Sequence, residues 1–376
     1  MAPDPHHVTW RARSPANAPI ARSSHGASVI NNTLYVFGGE HVARTPIDSV
    51  VHALDLTDPN AAFVAIDGGA NAPPPRVGHA QASIENVFYV FGGRRGVEMN
   101  ESPLNDLWAF DVESREWTDL SGGAGDVPCP RSFHVATAAR GKLYVFGGCG
   151  PADAGRLADL HEYDVASKTW TKLPGSDAIE SRGGAGFSST TDGSTLVIAG
   201  GFAGREMKDI HAYDIASKTW RAVAGAPGAP PPTATKLRDA DHERPAPAPL
   251  RPRSVWPVMA FTCYGDHVIG FGGEVDPSER GHDGAGGFAN DVVAIEVRTG
   301  DAKTLPLGRG GLGAGVGGGD GEEETAVPAP RGWTAAAEWR REGAIVLFGG
   351  LSGSDAAPER LGDVQIGYID RGGLLV

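Results

Sequence analysis

Cysteine is scarce. The 376 residues hold three, Cys129, Cys149 and Cys263, which cannot all pair and follow no metal-binding spacing. A disulfide framework and a thiolate zinc cluster are therefore excluded as organising principles. No apolar run approaches the roughly 20 residues of a membrane span. The opening Met-Ala-Pro-Asp-Pro-His-His has no basic start leading into an apolar stretch, so no secretory signal is expected. The expected setting is a reducing cytoplasm. Basic charge is short as well: 33 Lys and Arg against 46 Asp and Glu leave a net charge of −13. That balance repels nucleic-acid phosphates and anionic membranes, and neither is expected as a partner. The G-x-S-x-G elbow of an α/β-hydrolase is missing too.

Glycine and proline, by contrast, are plentiful: 54 and 28 residues, about 22% of the chain. Length alone predicts about 2.5 domains, but the glycines are placed with a regularity that overrides this. Doublets that follow short apolar runs end at Gly39, Gly93, Gly148, Gly201, Gly273 and Gly350. The runs before them, such as Leu34-Tyr-Val-Phe and Leu143-Tyr-Val-Phe, have the β-branched and aromatic character of buried strands. Upstream of each doublet stands an arginine, at Arg22, Arg76, Arg131, Arg182, Arg253 and Arg331. Downstream comes a Tyr-Asp-like strand, and a tryptophan strand ends several units at Trp117, Trp170 and Trp220.

This period of about 50 residues, with Gly-Gly and a spaced tryptophan, resembles the kelch repeat, whose units are four-stranded propeller blades. The resemblance covers nearly the whole chain. It predicts an all-β fold: residues 1–376 as one six-bladed propeller, with blades starting near 22, 76, 131, 182, 253 and 331. The sixth unit ends after Tyr368-Ile-Asp370 without a tryptophan strand, whereas Val8-Thr-Trp10-Arg-Ala lies 12 residues before Arg22, the offset that separates Trp170 from Arg182. The strand at 8–12 is therefore expected to complete blade six and close the ring. Two long spacings mark insertions at 224–252 and 305–330, both of loop composition. The second contains a G-x-G-x-x-G match at Gly313, Gly315 and Gly318, but no strand-turn-helix context that would make it a dinucleotide site.

Strands alternate in direction along a blade. Loops between strands two and three therefore share a face with those leading into the next blade. The repeat-start arginines, and His25, His79 and His134 three residues after them, are expected to bridge adjacent blades by hydrogen bonding. The irregular member is the fifth loop, Gly273-Glu274-Val-Asp276-Pro-Ser278-Glu279-Arg280-Gly-His282-Asp283. Carboxylates and an imidazole on a glycine-rich loop suit a divalent first-row metal.

This loop also resembles that of the plant specifier proteins of glucosinolate breakdown, kelch propellers with an iron(II) site of pattern Glu-x3-Asp-x3-His after a Gly-Gly. The resemblance implies Fe(II) held by Glu274 and His282. Ser278 stands where the family has aspartate, and Asp276, Glu279 or Asp283 are the alternative anionic donors. It further implies that Arg94 and Arg156 hold an oxyanion and that Trp333 walls the pocket. The expected function is a metal-dependent, lyase-like enzyme acting on a small anionic or sulfur-containing metabolite. The alternative is a non-catalytic scaffold whose loop face binds a protein partner.

Overall fold

The computed structural model describes residues 5–96, 103–224, 258–280, 283–306 and 327–370. Arg253, His282 and most of the two insertions lie outside them. Six four-stranded antiparallel sheets follow one another along the chain. Blade one is typical: Gly26–Ile30, Thr33–Phe37, Val50–Asp55 and Val64–Asp67, paired in that order. The first strand of each blade touches the first strands of its two neighbours, and Ala335–Trp339 of blade six meets Gly26–Ile30 of blade one. The six inner strands thus ring a central channel. Blade three carries one extra short strand, Ala124–Gly125, parallel to Thr169–Leu173. The chain is all-β, with a short 3-10 turn at Gly69–Asn71, and no helix among the described residues is long and apolar enough to cross a membrane.

Closure takes the form expected. His7–Arg13 pairs antiparallel with Ala357–Asp370 as the outer strand of blade six. Trp10 is 2% exposed and packs edge-on against Phe271 of blade five at 5.1 Å. The same joint recurs around the ring: Trp117 meets Phe37 at 5.0 Å and Trp170 meets Phe91 at 5.1 Å. In each case the outer-strand tryptophan covers the phenylalanine before the previous blade's Gly-Gly. His79 and His134 reach the same phenylalanines from the inner side, and His25 reaches Phe348. The histidines therefore bridge blades by ring packing rather than by the expected hydrogen bonds, and large apolar burial of this kind contributes about 1.5–3 kcal/mol per side chain.

The arginines divide their work. Their backbone carbonyls accept from the second glycine of the preceding blade, as in Gly93 N–H to Arg131 O at 2.9 Å. Gly92 sits at φ +61, and a Cβ there would lie 2.7 Å from that same Arg131 carbonyl. Glycine is thus required where one blade docks on the next. The guanidinium groups turn inward to their own blade. Arg131 donates to Gly147 O at 3.0 Å and bidentately to Asp159 at 2.8 and 2.9 Å. Arg76 with Asp106, Arg182 with Asp209 and Arg331 with Asp363 repeat the arrangement. Blade one departs from it, since Asp48 is 3.9 Å from Arg22.

Two residues after each arginine the chain makes a second joint. Ser24, Gly78, Phe133, Gly184, Val258 and Trp333 all have positive φ, between 52 and 60°. Each backbone N–H donates to the carbonyl of the equivalent residue in the preceding blade, and Ser24 donates to Trp333, at 2.7–3.1 Å throughout. The six bonds form a closed circle around the channel. Val258 holds blade five's place in it. Counting back two residues gives Trp256 rather than Arg253, and both lie outside the described residues.

Candidate functional site

The loop face is built from the residues just after each glycine doublet. Glu40, Arg94, Cys149, Phe202 and Leu351 each form a backbone bridge with the residue after their own blade's arginine, on the inner side of the blade. Glu274 is the fifth-blade member of the series. These residues stand around the mouth of the channel with unlike chemistry on its two sides.

On blades two to four the chemistry is basic and aromatic. Arg94 and Arg156 both lie close enough to Cys149 to draw its thiol pKa down, although burial wins and raises it. Arg156 begins its strand opposite Cys149 and lies over the ring of Phe202 at 5.0 Å. Both arginines therefore lie within electrostatic reach of Cys149, Arg156 directly across the strand pair from it.

On blades four to six the chemistry is acidic. Glu274 opens a small hairpin, Glu274–Asp276 against Gly287–Phe288. Burial pushes its carboxyl up to about 7; Glu206, Asp276 and Asp355 add to the rise, and the Ser278 backbone N–H opposes it. The Glu206 carboxyl is raised as well, chiefly by burial. Ser278 donates its hydroxyl to Asp355, and Glu279 N–H donates to the same carboxylate at 3.2 Å. Arg280 reaches the Asp355 carbonyl at 2.6 Å. Asp355 sits in the turn joining Ala344–Ser354 to Ala357–Asp370, so the fifth loop is tied across blade six. Asp283 continues the reach to Arg44 of blade one at 3.8 Å, an exposed pair of small energetic weight.

Between the two sides lies Trp333, its ring 5.4 Å from that of Phe133 in an edge-to-face contact. Of the residues named from the sequence, Arg94 and Arg156 lie near Cys149, Glu274, Asp276 and Ser278 lie together on the fifth loop, and Trp333 packs on Phe133. Among the described residues no three His, Cys, Asp or Glu side chains converge in a ligating arrangement, and His282 lies outside them. Sequence reasoning missed Phe202, Glu206 and Asp355. Phe202 was legible as the residue after Gly200-Gly201. Asp355 carries no local signal, because its partner Ser278 is 77 residues away.

A cavity of ≈ 620 Å³ occupies the channel itself. It is lined by the first strands from Ala27 onward and by hairpin residues such as Asn31, Glu85 and Arg341. It therefore opens on the face opposite the loops.

Comparisons with known proteins agree with this architecture. Residues 24–238 match the KLHDC2/KLHL20/DRC7 Kelch-repeats domain. The chain is 28% identical over 291 residues to an N-(sulfonatooxy)prop-2-enimidothioate sulfolyase of Thlaspi arvense, covering 75% of this chain and 78% of that protein. It is 29% identical over 172 residues to Kelch domain-containing protein 3 of Bos taurus, covering 44% of each. The solved structure of YjhT superposes with a TM-score of 0.65 at 16% identity, covering 93% of this chain and 96% of that one, a likeness of fold. The glycine doublets, the inward-turned arginines and the tryptophan joints described above are the working parts of one architecture, and the chain belongs to the kelch-repeat family of β-propellers.

Proposed function

We propose that the loop face is a small-molecule site of the specifier kind, acting on an anionic or sulfur-containing metabolite. The observation that carries this is the division of the channel mouth. Arg94 and Arg156 lie near Cys149 on one side, the carboxylates of Glu274, Glu206 and Asp355 gather on the other, and Trp333 lies between. Likeness to the Thlaspi arvense sulfolyase supports an oxyanion-bearing substrate.

In this reading Arg94 and Arg156 bind the oxyanion and orient the molecule, as paired guanidiniums do. Trp333 and Phe133 form an apolar floor that excludes water from the reacting end. The acidic side suits a divalent cation in charge, since Glu274 is desolvated among further carboxylates. Glu274 and His282 would hold that ion, with Asp355 drawn in through Ser278 in place of the specifier aspartate. Fe(II) bound there would supply Lewis-acid activation of substrate sulfur.

The test is metal content after anaerobic purification with Fe(II). One iron per chain, lost in Glu274→Ala and in His282→Ala, supports the reading; a metal-free parent protein defeats its metal component. Arg94→Ala and Arg156→Ala should each weaken binding of sulfate or thiosulfate about tenfold, and unchanged binding defeats the anion site. The match to the KLHDC2/KLHL20/DRC7 Kelch-repeats domain and to Kelch domain-containing protein 3 leaves room for the second reading, a protein-binding loop face. That reading gains if a partner is captured and then lost on mutation of Arg94 or Glu274.

A further inference from the structure

The channel is closed at one end and open at the other. At the loop face the hydrogen-bonded circle narrows it, and the rings of Phe133 and Trp333 meet across it from opposite blades. Gly184 makes room for this closure: a Cβ there would lie 2.8 Å from Val258 and 3.9 Å from the Trp333 ring. The cavity lining begins below that circle and runs to the strand one–two hairpins. The result is a blind cup opening on the far face, remote from the charged loops.

Its wall is unlike an apolar core. The first strands are sheet edges, each paired only with the second strand of its blade, so one row of backbone N–H and C=O groups is left to the channel. Hydroxyl side chains recur in register on four blades, at Ser28, Thr137, Ser188 and Thr262, with Ser83 and Glu338 one position on. Thr262 is 7% exposed. Among the described residues no protein hydrogen bond is made by the side chains of Ser83, Thr137 or Thr262. Glu338 uses one carboxylate oxygen on Arg340, at 3.0 and 3.2 Å, and its other oxygen has no such bond. Thr262 is buried and Ser83, Thr137 and Glu338 are half-buried on the channel, so the hydroxyls offer donors and acceptors and the carboxylate an acceptor to whatever fills it.

The charges in the lining are Glu85 and Glu338 against Arg340 and Arg341, two of each sign and a sum of zero. A cup of this volume falls within the range of small-molecule sites. We propose that it binds a neutral polyhydroxylated molecule, a sugar or polyol, whose hydroxyls match the wall group for group. This site is independent of the loop-face reading.

The experiment is calorimetric titration of the full chain with sorbitol, glucose and sucrose, with succinate and spermidine as charged controls. At least one neutral probe should bind saturably and both charged ones should not. Thr137→Val with Thr262→Val should weaken that binding about tenfold or more, since each lost hydrogen bond removes a few-fold. Ser83→Ala is a milder second variant, and an unchanged melting temperature confirms folding in each. Arg94→Ala, on the other face, should leave the titration unaltered. Binding that survives the hydroxyl variants, preference for a charged probe, or no binding by any neutral probe would each overturn the proposal.

Discussion

Phe133 of blade three and Trp333 of blade six stand half a turn apart in the ring, yet their side chains meet edge to face with centroids 5.4 Å apart. One contact therefore spans the channel and separates its two ends. Trp333→Ala removes it. The expected cost is about 1–2 kcal/mol, because the pair is only partly buried and edge-to-face pairs contribute modestly beyond their area. The sharper readout is access: a small quencher should reach the channel from the loop face in the variant and not in the parent. Trp333→Phe should retain both stability and closure.

The arginine–aspartate pairs are not equivalent. Arg182 is fully buried and held bidentately by Asp209, so Asp209→Ala leaves a buried charge unpaired and should cost about 3–5 kcal/mol. Asp48 is 3.9 Å from Arg22 and one-third exposed at 32%. Asp48→Ala should therefore cost less than about 1 kcal/mol. Urea unfolding of the two variants measures the contrast, and equal losses would contradict it.

Acid sensitivity follows from the bridging histidines. Burial lowers His25 and His134 from 6.5 to about 3 and lowers His79 well below its ordinary value. The folded state keeps these rings neutral while the unfolded state takes up protons below pH 6.5. Stability is thus fully present above that pH and lost as pH falls, by about 1.4 kcal/mol per unit for each ring. Blade six has Thr334 in this place, bonded to Phe348 O at 2.9 Å. His134→Thr should therefore flatten the slope between pH 6 and 4 by about one ring's share. The aspartates paired with arginine, lowered in pKa, add their loss only below about pH 4, where their unfolded forms protonate.

Ser278→Asp places a second carboxylate against Asp355. Without metal the variant should lose on the order of 1–2 kcal/mol through like-charge repulsion. Added Mn(II) should raise its melting temperature more than it raises the parent's. A variant indifferent to Mn(II) would separate this loop from metal binding.

Trp10→Ala tests the closing strand. Trp10 is 2% exposed against Phe271, and its truncation should cost about 3–5 kcal/mol, read by urea unfolding.

The ring was legible in the sequence because blade geometry imposes fixed counts. The offset from Trp10 to Arg22 repeats that from Trp170 to Arg182, and that repetition marks the closing strand in the sequence itself. Arg94 and Arg156 came instead from the resemblance to the specifier proteins, since no repeat spacing singles them out. Contacts between blades were not legible. Asp355 meets Ser278, and Phe133 meets Trp333, only because the ring curves back on itself, and no local pattern encodes that meeting. The polar cup was silent for another reason: alanines, serines and threonines on inner strands look like ordinary small residues until six strands set them around one axis.

The circle of six hydrogen bonds through Ser24, Gly78, Phe133, Gly184, Val258 and Trp333 makes the protein count. Each residue serves as donor to one neighbour and acceptor to the other, so every blade has two obligations and none can be left over. A linear repeat array can gain or lose a unit at its end. Here a seventh blade would find no vacant acceptor, and a fifth-and-last would leave a donor and a carbonyl facing a gap. Change is therefore directed outward, into the loops between blades, where length varies without touching the tally.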